Sequence, residues 1–524
     1  MSSLVRSVGT IGGLTAISRV FGFARDMLLA RVLGAGGMAD AWQLAFQLPN
    51  IFRRLFAEGA FASAFIPLFN RRMEAADNRT EARRFADDVL AVLVPILLVF
   101  SALALLAMPW IMGLFASDTL AADGERFGIG VLMARVAFPY LAFMSLATLL
   151  AAILNSLSRF AAAAAAPIML NLCLIAALVI GATLDGGEAA KRTTGIMLAV
   201  AVSASGLFQL VWLWFWARRA GFGFTPRMPR LTPGVRELGR LILPAVFGAG
   251  VYQISRFIDL FFISALPDKS ITFMAMGDRL NQLPLGIIGI ALGTAILPAL
   301  SRFIARDEAS EAFRLQSNAV ELAMLLTLPA AVALFVTGDA LTRAFYTGGA
   351  YTVADSLATG AVVSALVVGL PAYVLVKVLV PGFFARADTK TPVYTAAVSL
   401  AINVGLNFVL VPRLGVVGLA LAGALAAWCN CALLYVLLAR KGHFHLTALV
   451  AGRIARIALA AALMGVALWW LTPLGAPYYT AGALARIGAI AALTGAGGVV
   501  FFFAAWMLGV IDRSTIDQLR RRRA

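Results

Sequence analysis

Five arginines, Arg19, Arg25, Arg53, Arg256 and Arg279, fall within stretches whose other residues are mostly apolar. A guanidinium is always charged and offers five N–H donors in a planar fork that matches phosphate and carboxylate oxygens. At the centre of a lipid-facing helix each arginine would cost about 2.5–3.5 kcal/mol, and the set on the order of 10 kcal/mol. Such a set suits the capture of an anion in a wet interior, and a diphosphate needs about this many donors.

Depth strengthens that reading. Arg19 lies about 18 Å along its helix from the basic N-terminal lead, too far in for its side chain to reach the interface. Arg25, six residues on, points away from Arg19 on an ideal helix; a bend at Gly22 would bring both heads to one cavity. Arg53 follows Pro49, a helix-kinking residue, and the adjacent Arg53 and Arg54 cannot share a face. Asp278-Arg279 occupies the corresponding place later in the chain. The competing reading pairs these arginines with Asp26, Asp40, Glu58, Asp259 and Asp278, which would then gate or pin helices. Glu58-Gly59 and Gln282 are also polar at depth and fit gating or packing equally. A second constellation comprises Asn403 and Asn407, i,i+4 on one helix face, with Asp259 as a further oxygen donor. Oxygen ligands suit a hard cation such as Na+, whereas buried asparagines also serve as interhelical hydrogen-bond partners.

The elements that must position these residues are membrane spans. The chain is 61% hydrophobic and 13% charged, with a mean hydropathy of +0.90. Apolar runs of about 20 residues or more predict fourteen spans. They cover roughly 7–34, 39–69, 85–113, 127–155, 160–183, 192–217, 236–264, 271–303, 313–338, 353–385, 391–411, 414–439, 446–472 and 482–511. Connections after even-numbered spans are rich in arginine, as in Arg71, Arg72, Arg83, Arg84, Arg218, Arg219, Arg227 and Arg230. Those after odd-numbered spans are poorer in base, so both termini are expected on the cytoplasmic side. Trp42, Trp110, Trp469 and Trp506, near span ends, are expected to form an aromatic belt.

The net charge of +17 does not point to nucleic acid, because the basic residues are dealt out between apolar runs with no basic domain. His443 and His445 share one short loop and cannot build a metal site alone. Cys173, Cys429 and Cys431 lie in apolar runs and do not suggest a disulfide framework. The short basic lead Met1–Arg6 runs into an apolar stretch too long for a cleavable signal peptide, so none is expected. No connection is long enough to carry the polar catalytic surface of a membrane glycosyltransferase.

The order of short motifs repeats. Ile17-Ser18-Arg19 recurs as Ile254-Ser255-Arg256, Gln47-Leu48-Pro49 as Gln282-Leu283-Pro284, and Ala64–Leu68 is echoed at Ala295–Ala299, with offsets of 237, 235 and 231. Three matches in order indicate duplication. Six spans per unit give both halves the same orientation, hence two lobes in parallel repeat around a central cavity. The expected divisions are residues 1–219 for the first lobe, 220–440 for the second, and 441–524 for a C-terminal helix pair and basic tail.

Ser18-Arg19-Val20-Phe21-Gly22-Phe23-Ala24-Arg25-Asp26 resembles the first-helix signature of the MurJ/MviN family of lipid II flippases. The run from Leu48 to Phe61 resembles that family's second-helix signature. Asp278-Arg279-Leu280, Leu292-Gly293-Thr294 and the run from Lys377 to Arg386 are similar to further family segments. The resemblance implies an all-α, MATE-like fold in the multidrug/oligosaccharidyl-lipid/polysaccharide exporter superfamily. It implies a transporter without catalytic residues or cofactor, exporting lipid-linked peptidoglycan precursor across the bacterial inner membrane. By that carry-over, Arg19, Arg25, Arg53 and Arg279 bind the diphosphate and headgroup, with Asp26, Asp40, Glu58, Arg256 and Asp278 gating or pairing. The last two helices would form a groove for the polyprenyl tail.

Some relatives have a sodium site where Asp259, Asn403 and Asn407 stand. This chain departs from the pattern at Asn407, where a carboxylate is often expected, and at Gln282, where many relatives have Glu. Coupling to Na+ or H+, or to the membrane potential alone, is consistent with these residues. The implied partners are lipid II, membrane lipid and cell-wall synthases or division proteins, with the protein functional as a monomer. The alternatives are a MATE-type drug/cation antiporter, which would want carboxylates and aromatics facing its cavity, and an exporter of another polyprenyl-diphosphate-linked glycan. A glycosyltransferase and a non-transporting division scaffold are the rivals of other classes.

Overall fold

The computed structural model describes residues 2–56, 60–74, 79–184, 186–225 and 227–510, and these are helical almost throughout. In chain order the helices are α1 (Ser2–Leu33), α2 (Gly37–Phe56), α3 (Ala60–Glu74), α4 (Arg79–Phe115), α5 (Asp118–Ala122), α6 (Gly124–Ala137), α7 (Tyr140–Ser156), α8 (Phe160–Gly181) and α9 (Glu188–Arg219). They continue as α10 (Pro233–Ser264), α11 (Ser270–Pro284), α12 (Ile290–Ala305), α13 (Ala309–Tyr346), α14 (Val353–Val367), α15 (Leu370–Phe384), α16 (Lys390–Arg440), α17 (Ala448–Leu471) and α18 (Ala483–Met507). A π-helical turn, Leu285–Gly289, joins α11 to α12, and a 3-10 turn, Thr472–Tyr478, follows α17. Helix is what hydrocarbon demands, since it satisfies every backbone polar group within the segment.

Helix lengths run in parallel along the chain. α1 and α10 each have 32 residues, while α4 has 37 and α13 has 38. α2 carries Pro49 inside it, whereas Pro284 ends α11 and is followed by the π turn. α6 and α7 are parted at Pro139, and α14 and α15 are parted just before Pro371. A proline lacks the N–H that would continue the ladder. Predicted spans eleven and twelve are the two helical halves of α16, which meet at a kink at Gly415, where φ is 58° and ψ −135°. Among the described residues, nine helices or helix pairs are long and apolar enough to cross a membrane. The remaining expected spans correspond to α1, α2 with α3, α10, and α11 through α12. These carry all five of the arginines that opened the sequence reading.

The chain resolves into two compact units, residues 1–272 with Gly349–Tyr351, and residues 273–348 with 352–524. α10 therefore clusters with the first unit, through contacts with α3, α4 and α2. In that unit α8 packs against α1 and α9, and α2 against α6. Its core includes a phenylalanine ladder: Phe65 stacks on Phe61, Phe69 and Phe85 at 5.4–5.5 Å between ring centroids. In the second unit α13 is the central element, contacting α14, α15, α17 and α18. A buried cluster around Leu300, Val378, Leu434 and Leu438 joins α12, α15 and α16. A second, around Ala460, Met464 and Ala505, seats the C-terminal pair on α13.

The aromatic-belt expectation needs one correction. Trp110, Trp469 and Trp506 are exposed, but Trp42 is buried and stacks on Phe46, so it is a core residue.

Candidate functional site

α1 runs unbroken through Gly22, so no bend turns Arg19 and Arg25 towards each other. Arg19 is partly exposed, and among the described residues no hydrogen bond or ion pair engages it. Arg25 is buried between α1 and α8. Its Nε and Nη2 donate to Asp26 Oδ1 at 2.9 and 2.6 Å, and its Nη1 donates to Asn171 Oδ1 at 2.9 Å. Asn171 Nδ2 in turn donates to the Ser18 carbonyl at 3.0 Å. Gly22 faces the Asn171 amide, and a Cβ there would lie 3.7 Å from its oxygen and nitrogen, in ordinary contact. The Asp26 charge therefore sits against Arg25, and the amide of Asn171 fixes the guanidinium plane. Three of the five N–H groups are used in these bonds, leaving two donors. Asn171 escaped the sequence reading because one amide in the apolar α8 carries no motif.

Arg53 is partly buried, with its Nε 3.4 Å from Asn50 Oδ1, while Arg54 beside it is exposed. Phe52 packs in the same turn against Phe100, Phe138 and Phe257. Glu58 lies outside the described residues. Asp40, in the first turn of α2, is buried and accepts from the backbone N–H of Lys269 at 2.6 Å. It also accepts from the Thr272 N–H at 2.8 Å and the Thr272 hydroxyl at 2.5 Å. It thus caps the N-terminus of α11 from another helix, satisfying donors that have no partner within α11. Arg256 and Asp259 are partly buried on α10.

In the second unit, Asp278 and Arg279 are partly buried on α11, and Asp278 Oδ2 accepts from Gln282 Nε2 at 2.6 Å. That bond leads into the π turn, a geometry frequent at functional sites. The sequence reading assigned no role to Lys377 on α15. A Cβ at Gly289 in the π turn would lie 3.1 Å from its Nζ, and Gly293 also faces it. The missing side chain at Gly289 leaves room for the Lys377 ammonium beside the π turn. Asn403 and Asn407 are both buried on α16; neither the oxygen nor the nitrogen of the Asn407 amide has a hydrogen-bond partner among the described residues. An orphaned amide oxygen fits a hard cation, but two neutral amides alone make a weak site, since such sites draw affinity from ligand charge. Among the described residues no cluster of three His, Cys, Asp or Glu forms a metal centre.

Arg135 was a third omission. It is exposed on α6, about 17 Å along the helix from Gly124, and its Nε donates to the Leu105 carbonyl of α4 at 3.0 Å. That carbonyl is four residues before Pro109, whose ring removes the N–H that would have met it. The signal was present in the sequence as a proline and an arginine in two apolar runs, but nothing there registers them against each other.

Comparison with solved structures fixes the fold. A structure described as "Lipid II flippase MurJ, inward closed conformation" matches with a TM-score of 0.76 and 21% identity, covering 95% of this chain and 98% of that one. An inward-facing multidrug resistance MATE transporter of the MOP superfamily matches with a TM-score of 0.65 and 14% identity, covering 81% and 94%. The protein is thus an all-helical, polytopic membrane protein with a fold shared by transporters. The "Lipid II flippase MurJ" family description matches residues 29–490. A probable lipid II flippase MurJ of Rhizobium meliloti (strain 1021) is 42% identical, covering 100% of this chain and 97% of that protein. One of Rhizobium tropici is 40% identical, covering 99% and 97%. The chain belongs to the lipid II flippase MurJ family.

Proposed function

We propose that this protein is a lipid II flippase, moving the lipid-linked peptidoglycan precursor from the inner to the outer leaflet of the bacterial inner membrane by alternating access. The observation that carries the reading is whole-length identity of 40% and more to probable flippases, joined to arginines on the expected spans. Arg19, Arg53 and Arg279 supply guanidinium forks to the diphosphate, and Arg25 adds the two N–H groups that Asp26 and Asn171 leave. Lys377 adds a compact positive charge in the second unit. Both termini face the cytoplasm, as the arginine-rich connections favour. With the inside negative, each net negative charge carried outward gains about 2.3 kcal/mol per 100 mV. The membrane potential therefore assists export, and a hard cation held by the Asn407 and Asn403 oxygens would assist the return.

The test is exposure of labelled lipid II on the outer face of cells depleted of the native protein. Wild-type protein restores it, while Arg19→Ala and Arg279→Ala, folded and inserted, do not. Full restoration by both variants refutes the anion-binding role. Unchanged exposure on depletion refutes transport.

A further inference from the structure

A groove of about 530 Å³ opens on the outer face of α8 and α9, lined by Leu172, Cys173, Phe208, Val211, Trp212 and Phe215. Its α9 wall is one stripe: Phe208, Trp212 and Phe215 lie at i, i+4 and i+7, and Arg219 continues it at i+11. Val211, Phe215 and Arg218 form a second row with the same spacing. The two rows that wall the apolar slot therefore continue along α9 to Arg218 and Arg219. From Phe208 to Arg219 is about 16 Å of helix, close to half of the roughly 30 Å hydrocarbon thickness. The slot and its basic end together span one leaflet.

The walls are held in place. Trp212 Nε1 donates to the Ala162 carbonyl of α8 at 3.1 Å, which fixes the indole across the two helices. Trp216 packs edge-on to Trp212 and to Phe215. Arg218 lies over the Trp214 ring at 5.5 Å and Arg219 over the Trp216 ring at 5.9 Å. A guanidinium resting on an indole face keeps its N–H edges turned outward. Among the described residues, no carboxylate pairs with either arginine.

We infer that this groove is a binding site for an anionic two-chain glycerophospholipid, with one acyl chain in the slot and the phosphate on Arg218 and Arg219. Charge complementarity selects an anionic headgroup. The one-leaflet length selects an ordinary acyl chain over a polyprenyl chain, which is several times longer than the slot. The site is separate from the arginines proposed to bind lipid II, and its test does not depend on transport.

Full-length protein is equilibrated with phosphatidylglycerol, phosphatidylcholine or a polyprenyl diphosphate, and retained lipid is counted by native mass spectrometry. Wild type is expected to retain phosphatidylglycerol over phosphatidylcholine. The double variant Arg218→Ala/Arg219→Ala should lower that retention about tenfold, a loss of about 1.4 kcal/mol. Arg218→Lys/Arg219→Lys should keep part of it, and Cys173→Trp, which fills the slot with both arginines intact, should lower it too. Melting temperatures within a few degrees of wild type establish that each variant is folded. Equal retention by wild type and the alanine double variant overturns the inference, as does equal retention of phosphatidylcholine. Displacement of phosphatidylglycerol by equimolar polyprenyl diphosphate overturns the assignment of the occupant.

Discussion

Arg19→Ala and Arg25→Ala should both abolish flipping, but for reasons that a melting curve separates. Arg25 and Asp26 are buried, with side-chain exposures of 10% and 6%. Removing the guanidinium withdraws both of its bonds to the buried carboxylate and the bond to Asn171 across α1 and α8. Breaking a buried pair from one side costs about 3–5 kcal/mol. In a chain of this size that corresponds to a fall in melting temperature on the order of 3–5 °C. Arg19 is partly exposed and makes no such bonds among the described residues, so its replacement should change stability by about 0.5 kcal/mol or less. The assay is thermal unfolding of detergent-purified wild type, the two single variants and Arg25→Ala/Asp26→Ala. The double variant should recover part of the loss, because the buried carboxylate that lost its guanidinium is gone as well. If Arg25→Ala melts with wild type, or if the double variant is worse than the sum of its parts, the ion pair is not what joins α1 to α8.

Three further outcomes follow from other contacts. Arg135→Ala should destabilise wild type by about 1–2 kcal/mol but cost much less in a Pro109→Ala background, where residue 109 can donate to Leu105 itself; a double-mutant cycle with no coupling would remove the link between them. Gly349→Ala should destabilise by more than about 2 kcal/mol, because residue 349 has φ 57° and a Cβ there would collide with the Arg31 carbonyl; a melting temperature equal to wild type would refute this. His443, in the loop after α16, has its pKa lowered by burial and by Arg386 and Lys441, with Asp388 opposing. The unfolded chain therefore takes up this proton first, and stability should fall as pH drops through about 6.5. In His443→Gln that part of the slope should vanish, and an unchanged slope would assign it elsewhere.

The spans were legible because hydropathy is a property of single segments, and α4, α8, α9, α13, α17 and α18 lie close to where apolar length places them. The division of residues 390–440 into two spans was legible too: Pro412 and Gly415 stand between the two apolar runs, and Gly415 is where the backbone leaves helical geometry. The arginines could be picked out one by one, but their partners could not. Arg25 with Asp26 is a neighbour pair visible in the chain, and it was weighed as such. Asn171 is 146 residues away, and the Leu105 carbonyl that Arg135 meets is a backbone atom with no letter in the sequence. Trp42 shows the converse limit, since an aromatic near a span end is read as interfacial unless packing is known.

The bond from Arg135 to Leu105 has a mechanical meaning for a protein that must change shape at each turnover. Moving α4 away from α6 would leave the Leu105 carbonyl bare, since Pro109 has no N–H to offer it, and would leave the Arg135 guanidinium without that acceptor. Neither helix gains by moving without the other. α4 and α6 should therefore travel as one strut, with the bending of the cycle falling on segments elsewhere in the chain.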